Sequence, residues 1–118
     1  MSYDIWLEDE LGETLVLDEP IEMIMGTMRV GGEIEANINI TYNYAPIFYK
    51  YVDKEEGIRC LYGKKAKDTI DKLESVISEL KDDVSEDYWE CTEGNAKRSL
   101  EQLLNLAKMF PEAKWNGD

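Results

Sequence analysis

GGEIEANINITYNYAPIFYKY, from Gly31 to Tyr51, is the stretch that decides the fold. From Glu33 to Asn43 the odd positions are Glu33, Glu35, Asn37, Asn39, Thr41 and Asn43. The even positions beside them are Ile34, Ala36, Ile38, Ile40, Tyr42 and Tyr44. Successive side chains of a strand point to opposite faces, so this strict period of two predicts a β-strand with one buried and one wet face. Ala45-Pro46 breaks the period, and Ile47, Phe48, Tyr51 and Val52 take up helical spacing. Proline fits the first turn of a helix, where its missing N–H leaves no bond unmade. Four of the seven tyrosines, Tyr42, Tyr44, Tyr49 and Tyr51, crowd this change from strand to helix.

Working outward, Tyr3, Ile5 and Leu7 alternate with Asp4, Trp6 and Glu8, which predicts a first strand over residues 2–8. Asp9-Glu10-Leu11-Gly12 supplies a turn, and Thr14 to Leu17 returns as a second strand until Pro20 stops the ladder. Trp6 stands on the polar face of the first strand, which suggests that something covers that face. Ile21 to Val30 is apolar and methionine-rich, with Met23, Met25 and Met28, and Gly26 in its middle predicts a bulge or a break in the strand. Gly31-Gly32 then predicts a tight turn into the long strand.

Three helices are expected downstream, at about 46–53, 64–81 and 93–109. Gly57 ends the first, and Ile58 to Tyr62 makes a single helical turn closed by Gly63. Ala66, Ile70, Leu73, Val76, Ile77 and Leu80 form the apolar stripe of the second. Lys64–Asp68, Lys67–Asp71 and Asp68–Lys72 lie at i,i+4 on its wet side. Asp82-Asp83 marks its stop, at the end of the helix dipole that acids disfavour. Tyr88 and Trp89 of the following connector are expected to pack back on the body. Thr92 caps the third helix, whose face is Ala96, Leu100, Leu103, Leu104 and Ala107, extended by Phe110, with Glu93–Lys97 as an ion pair. Pro111 ends it, and Trp115 anchors the tail. Strands followed by helices give an α+β fold: an N-terminal antiparallel sheet of three or four strands within residues 2–43, then three helices packed on one face, in a single domain.

Charge is the unusual global property. The 118 residues carry 26 acids against 13 bases, a net −13. Residues 1–35 hold ten acids and only Arg29, so that Glu8, Asp9, Glu10, Glu33 and Glu35 define an acidic surface. Direct nucleic-acid binding is disfavoured, because neutralising phosphates takes clustered Lys and Arg; an anionic membrane surface is disfavoured for the same reason. A basic protein is the natural complement, a rigid acidic surface could also mimic nucleic acid, and a homo-oligomer remains compatible. The competing reading is that the charge serves solubility alone. The N-terminus shows no signal-peptide pattern and no apolar run approaches ~18 residues, so the expected location is the cytoplasm. There Cys60 and Cys91 are expected as reduced, buried thiols, and the Asn39-Ile40-Thr41 sequon has no role.

The chain has no histidine, which excludes His-based triads and His-containing metal sites. Gly57 to Lys65 departs from a phosphate loop, with five residues between its glycines and Lys65 where Ser or Thr should hold magnesium. Glu33 and Glu35 could in principle pair for acid–base chemistry, yet any strand with alternate acids offers the same geometry. No cofactor and no catalytic residue is expected. The row Asn37, Asn39, Thr41 and Asn43 is more specific. With Tyr44 and its neighbouring tyrosines as a stacking wall, it could bind a polar ligand or a peptide backbone. The alternative places the tyrosines in the core and uses Asn43 to cap the helix near Pro46.

Taken together, Gly31 to Lys50, GIRCLYGKK from Gly57, DDVSEDYWECTEGNAKRSL from Asp82 and PEAKWNGD from Pro111 resemble a group of small acidic proteins common in phage and prophage genomes. TYNY at 41–44 and GNA at 94–96 carry the resemblance most specifically. It implies a viral or prophage context, in which proteins of this size and charge are often accessory or host-interaction factors, some of them inhibitors of host defence. The expected function is therefore non-enzymatic protein binding, with binding of a small polar, nucleotide-like signal as the alternative.

Overall fold

Strand β1 (Ser2–Glu8) lies inside a four-stranded antiparallel sheet, with β3 (Asn37–Thr41) on one side and β4 (Lys114–Gly117) on the other. β2 (Thr27–Arg29) extends the sheet beyond β3, giving the order β2-β3-β1-β4. A computed structural model of the chain describes residues 2–16, 27–29, 35–83, 86, 87 and 89–118. The expectations for Leu17, Pro20, Met23, Met25, Gly26, the Gly31-Gly32 turn, Glu33, Ile34 and Tyr88 lie outside the described residues.

The alternation of β1 does what its period demands. Tyr3, Ile5 and Leu7 are buried, while Asp4, Trp6 and Glu8 are half-exposed on the other face. Register pairs Ile5 with Ile38 and Tyr3 with Ile40, so the apolar rows of β1 and β3 meet on one side. Trp6 sits between Asn37 and Asn116 in register and donates its indole N–H to Glu8 Oε2 at 3.1 Å.

The described residues of the expected second strand at Thr14–Leu17 form isolated bridge pairs, Glu8 with Thr14 and Val16 with Glu35. Leu15 enters where β1 and β3 part: its N–H donates to Leu7 O (3.0 Å) and its carbonyl accepts from Ala36 N (2.8 Å). Leu7 N also reaches Ala36 O at 3.0 Å, so Leu15, Leu7 and Ala36 share their backbone bonds at this point of the sheet. Of the strand predicted over 33–43, the described residues are regular over Asn37–Thr41. Thr41 ends it by turning its hydroxyl onto Asn43 N (3.2 Å), which starts a 3-10 turn at Tyr42–Tyr44. That turn feeds directly into α1 (Ala45–Tyr51), with Pro46 in its first turn.

Gly57–Leu61 forms another 3-10 turn, and Gly63, at φ 86°, reverses the chain after it. Such a φ is open to glycine at little cost. The expected helix over 64–81 starts later and ends sooner: a 3-10 turn at Ala66–Thr69 precedes α2 (Ile70–Glu79), and Leu80 is already extended and buried. Lys64 and Lys65 therefore lie ahead of the helix. Lys65 and Lys67 reach Glu112 instead, at 3.5 and 3.1 Å.

α3 (Glu93–Met109) follows its Thr92 cap, whose hydroxyl accepts from Asn95 N at 3.1 Å. Asp83 Oδ1 accepts from Gly94 N (3.1 Å), so one of the acids expected to stop α2 serves the start of α3, the end where the helix dipole favours negative charge. Lys97 pairs with Asp82 at 2.6 Å and not with Glu93, whose carboxylate accepts from the Tyr51 hydroxyl and Lys81 N. Ala96, Leu100, Leu103, Leu106 and Ala107 are buried, and so are Asn95, Ser99 and Gln102. α3 is enclosed on more than one side, by α2, by the 3-10 turn at Ala66–Thr69 and by α1. Leu104, expected on the buried face, is only half-buried.

The tail is the largest departure from expectation. Trp115 anchors as a member of strand β4, paired with Leu7, and is 0% exposed. Its indole N–H donates to Thr69 Oγ1 at 2.9 Å, and the Thr69 hydroxyl donates to Ala66 O at 2.7 Å. The outer edge of β4 is taken up by residues 63–66: Gly63 N to Trp115 O (2.9 Å), Trp115 N to Lys64 O (2.9 Å) and Ala66 N to Ala113 O (2.7 Å). Covering an edge in this way removes unpaired N–H and C=O groups that could otherwise recruit another chain. Gly117 lies opposite Ile5, and the Tyr62 ring takes the space a side chain would need.

These contacts set the stability predictions. Leu103→Ala and Leu73→Ala should each cost ~2–5 kcal/mol by leaving a cavity, and Leu104→Ala should cost clearly less. Gly117→Ala should lower the melting temperature, because its Cβ would lie 2.4 Å from the Tyr62 ring and 2.6 Å from the Asp4 carbonyl. Thermal melts of the four variants check the ranking.

Candidate functional site

The polar row predicted as a ligand site is divided among different tasks. Asn37 faces Trp6 in register, and its Oδ1 is buried without a hydrogen-bond partner among the described residues. Asn39 donates to Asp4 Oδ1 at 2.6 Å and to the Ser2 hydroxyl, across the β1–β3 ladder. Thr41 is buried and caps the 3-10 turn, the capping task that the alternative reading had placed on Asn43. Asn43 is exposed and donates to the Trp89 carbonyl at 2.8 Å, tying the connector to the strand end. Tyr44 is 0% exposed and packs edge-to-face on Phe48, with ring centroids 6.3 Å apart. It belongs to the core and cannot line a surface wall. Burial, with the neighbouring Cys91 thiol adding to it, pushes its hydroxyl up to about 12.

The other junction tyrosines also part company. Tyr42 meets Tyr3 edge-on at 4.6 Å, and the Arg59 guanidinium lies over both rings, 4.9 Å from Tyr3 and 5.7 Å from Tyr42. Arg59 Nε also donates to the main-chain oxygen of Asp118 (2.8 Å), so this cation holds the β4 end to the tyrosines. Tyr51 donates to Glu93, and Tyr49 is 40% exposed beside Gly57. The thiols divide likewise: Cys60 is buried, whereas Cys91, at the end of the connector just before the Thr92 cap, is exposed, contrary to expectation.

The acidic turn is a more open arrangement. Asp9 Oδ1 accepts from Leu11 N (2.8 Å) and Glu13 N (3.1 Å), and Asp9 N donates to Glu13 O (2.9 Å). A carboxylate bonding the backbone two residues on is an Asx turn, the local chemistry that makes Asp a turn residue. Gly12, at φ 81°, completes the reversal. Leu11 is thereby held at the tip, 84% exposed, with Glu10 and Glu13 exposed beside it. Glu8 is different: its carboxylate accepts from Trp6 and from Asn116 Nδ2 (3.3 Å), so it is fixed on the sheet. Glu35 is half-buried in the bridge with Val16, and Glu33 lies outside the described residues.

Two adjoining clefts open along this turn. The larger, about 730 Å³, is lined by Glu8, Asp9, Glu10, Leu11, Gly12, Gly63, Lys65, Glu112 and Lys114. The smaller, about 280 Å³, has an apolar lining of Leu15, Phe110, Pro111 and Ala113 beneath Asp9, Glu10 and Glu112. Glu112 is held below the usual carboxylate range by the Lys67 hydrogen bond and charge, with Lys65 adding to it. Asp9 and Glu10 therefore form the lip whose charge no neighbouring lysine offsets among the described ion pairs. Sequence reasoning found the acidic lip and missed the opposite wall, which comes from a hundred residues further along. The signal available was Ala113 and Trp115 alternating with Lys114 and Asn116 after Pro111, a short strand pattern.

The chain matches no protein-family model, no curated protein and no solved structure. Among the described residues, no helix is long and apolar enough to cross a membrane.

Two outcomes follow from this geometry. Asp9→Ala should destabilise the protein by about 0.5–2 kcal/mol, as loss of a capping carboxylate does, while Asp9→Asn, which keeps the acceptor oxygen, should retain most of the stability. Tyr44 binds its proton more tightly folded than unfolded, so its contribution is complete below pH 10 and is lost as pH rises through about 12. Urea melts between pH 9 and 12 should show falling stability, and Tyr44→Phe should flatten that fall.

Proposed function

We propose that this protein is a non-enzymatic binding protein whose acidic end, the turn from Asp9 to Glu13 with the clefts beside it, docks a basic protein. The single observation that supports this reading is Leu11. A leucine 84% exposed at the tip of a turn that hydrogen bonds hold rigid, flanked by Glu10 and Glu13, is a costly feature for solubility alone. An apolar side chain ringed by charge is the usual make-up of a docking surface, in which apolar contact supplies affinity and charge guides the approach. Loop residues on a firm scaffold are where binding commonly resides. The resemblance to small phage and prophage proteins points the same way, to a host or viral protein as the partner and to interference with host defence as the role.

The Asn/Tyr corner supports the alternative, a small polar-ligand binder, less well. Asn39 and Asn43 already donate within the chain, Thr41 is a cap and Tyr44 is core.

The test is association kinetics with a partner captured from a host extract. Glu8 and Asp9 should be left intact because they bond neighbouring groups, which makes the double reversal Glu10→Lys with Glu13→Lys the informative variant. The expected outcome is an unchanged melting temperature and an association rate slowed roughly tenfold or more, with wild-type association also slowing as salt shortens the Debye length to ~8 Å. An association rate indifferent to salt and to the double reversal would remove the acidic end as the docking surface.

A further inference from the structure

We infer that the smaller cleft is a slot for one bulky apolar side chain, presented by a basic segment of the partner whose adjacent Lys or Arg residues meet Asp9 and Glu10. This inference rests on the acidic end being the docking surface and goes on to name what it recognises. The slot of about 280 Å³ is walled mainly by Leu15, Phe110, Pro111 and Ala113, with Asp9, Glu10 and Glu112 completing the lining. Leu15 and Phe110 are half-buried, so each offers part of its surface to an occupant. A space of this size suits a single large aliphatic or aromatic group, the type of side chain that anchors protein interfaces from within a pocket.

The lip decides what surrounds that anchor. Glu112 on one side is tied to Lys65 and Lys67. Asp9, half-exposed, uses Oδ1 for the turn, and Glu10 is exposed beside it; neither carboxylate is in an ion pair among the described residues. Cations of the segment should therefore lie on the Asp9–Glu10 side of the anchor. The larger cleft continues past the same three acids toward Gly63 and Lys114, and its mixed lining of carboxylates and lysines suits the polar main chain that carries the anchor. Charge also selects against other occupants. A second copy would bring a net −13 against −13, and an anionic lipid or nucleic acid would meet the same repulsion.

The experiment is a methyl and amide NMR titration of the full chain with two capped synthetic peptides, Lys-Lys-Trp-Lys-Lys and Lys-Lys-Ala-Lys-Lys, at low salt. The expected result is that the tryptophan peptide binds ~10-fold tighter, moves the Leu15 and Ala113 methyl resonances, and binds more weakly to Glu10→Lys. Equal affinity for the two peptides, with shifts confined to Glu10 and Glu13, would overturn the slot while leaving the acidic end as the docking surface. Tighter binding of the tryptophan peptide with shifts elsewhere, as at Tyr49 or Trp89, would also overturn it. Absence of binding by both peptides would overturn the slot and the acidic-end reading together.

Discussion

The burial of Trp115 is the contact on which the two ends of this chain depend. Its ring is wholly enclosed on the core side of the sheet, in register with Leu7, and its indole N–H is satisfied by Thr69. Removing a fully buried tryptophan costs on the order of 3–5 kcal/mol, a large part of the stability of a domain this size. The backbone of the same residue donates to Lys64 and accepts from Gly63, so one residue closes β1 on one side and residues 63–66 on the other. β1 is an interior strand only because β4 returns to it. Without that return its second edge would be an open row of N–H and C=O groups.

The candidate site is a by-product of the same closure. Glu112, Ala113 and Lys114 form one wall of the clefts because β4 is docked beside Glu8, and Phe110 and Pro111 are placed by the end of α3 just before it. The opposite wall is the Asx turn, positioned by the last residues of β1 and by Leu15 wedged between Leu7 and Ala36. Each wall is firm for a structural reason of its own. The acids between them can therefore stay presented to solvent, with little conformational freedom left to lose when a partner arrives.

Much of this architecture was legible in the residues. β1 and α3 have the boundaries that alternation and the Thr92 cap predict, and α1 starts where Ala45-Pro46 breaks the period, although the strand itself has already ended at Thr41. What escaped was set by contacts between distant segments. Thr14–Leu17 reads as a strand by composition, but among its described residues Leu15 is bonded to both Leu7 and Ala36, and Thr14 and Val16 form isolated bridges. Lys67 and Lys97 have partners at helical spacing in sequence, yet the carboxylates that reach them, Glu112 and Asp82, come from loops. The Asn row was legible as one strand face by period, although Asn37 and Asn39 are only half-exposed on it and Thr41 is buried. Its engagement with Ser2, Asp4 and Trp89 could not be seen before the neighbouring strand and connector were placed. The acidic turn was legible as charge, while the apolar slot beneath it needed residues from both ends of the chain.

Native-state hydrogen exchange tests this dependence most directly, by comparing the Trp115 amide, bonded to Lys64, with the Leu7 amide, bonded to Ala36. If β4 closes the sheet, the two amides should exchange through one cooperative opening, with the same free energy and the same denaturant dependence. A Trp115 amide that exchanges well ahead of Leu7, through local fraying of residues 113–118, would contradict the account, since the sheet would then stand without its C-terminal strand.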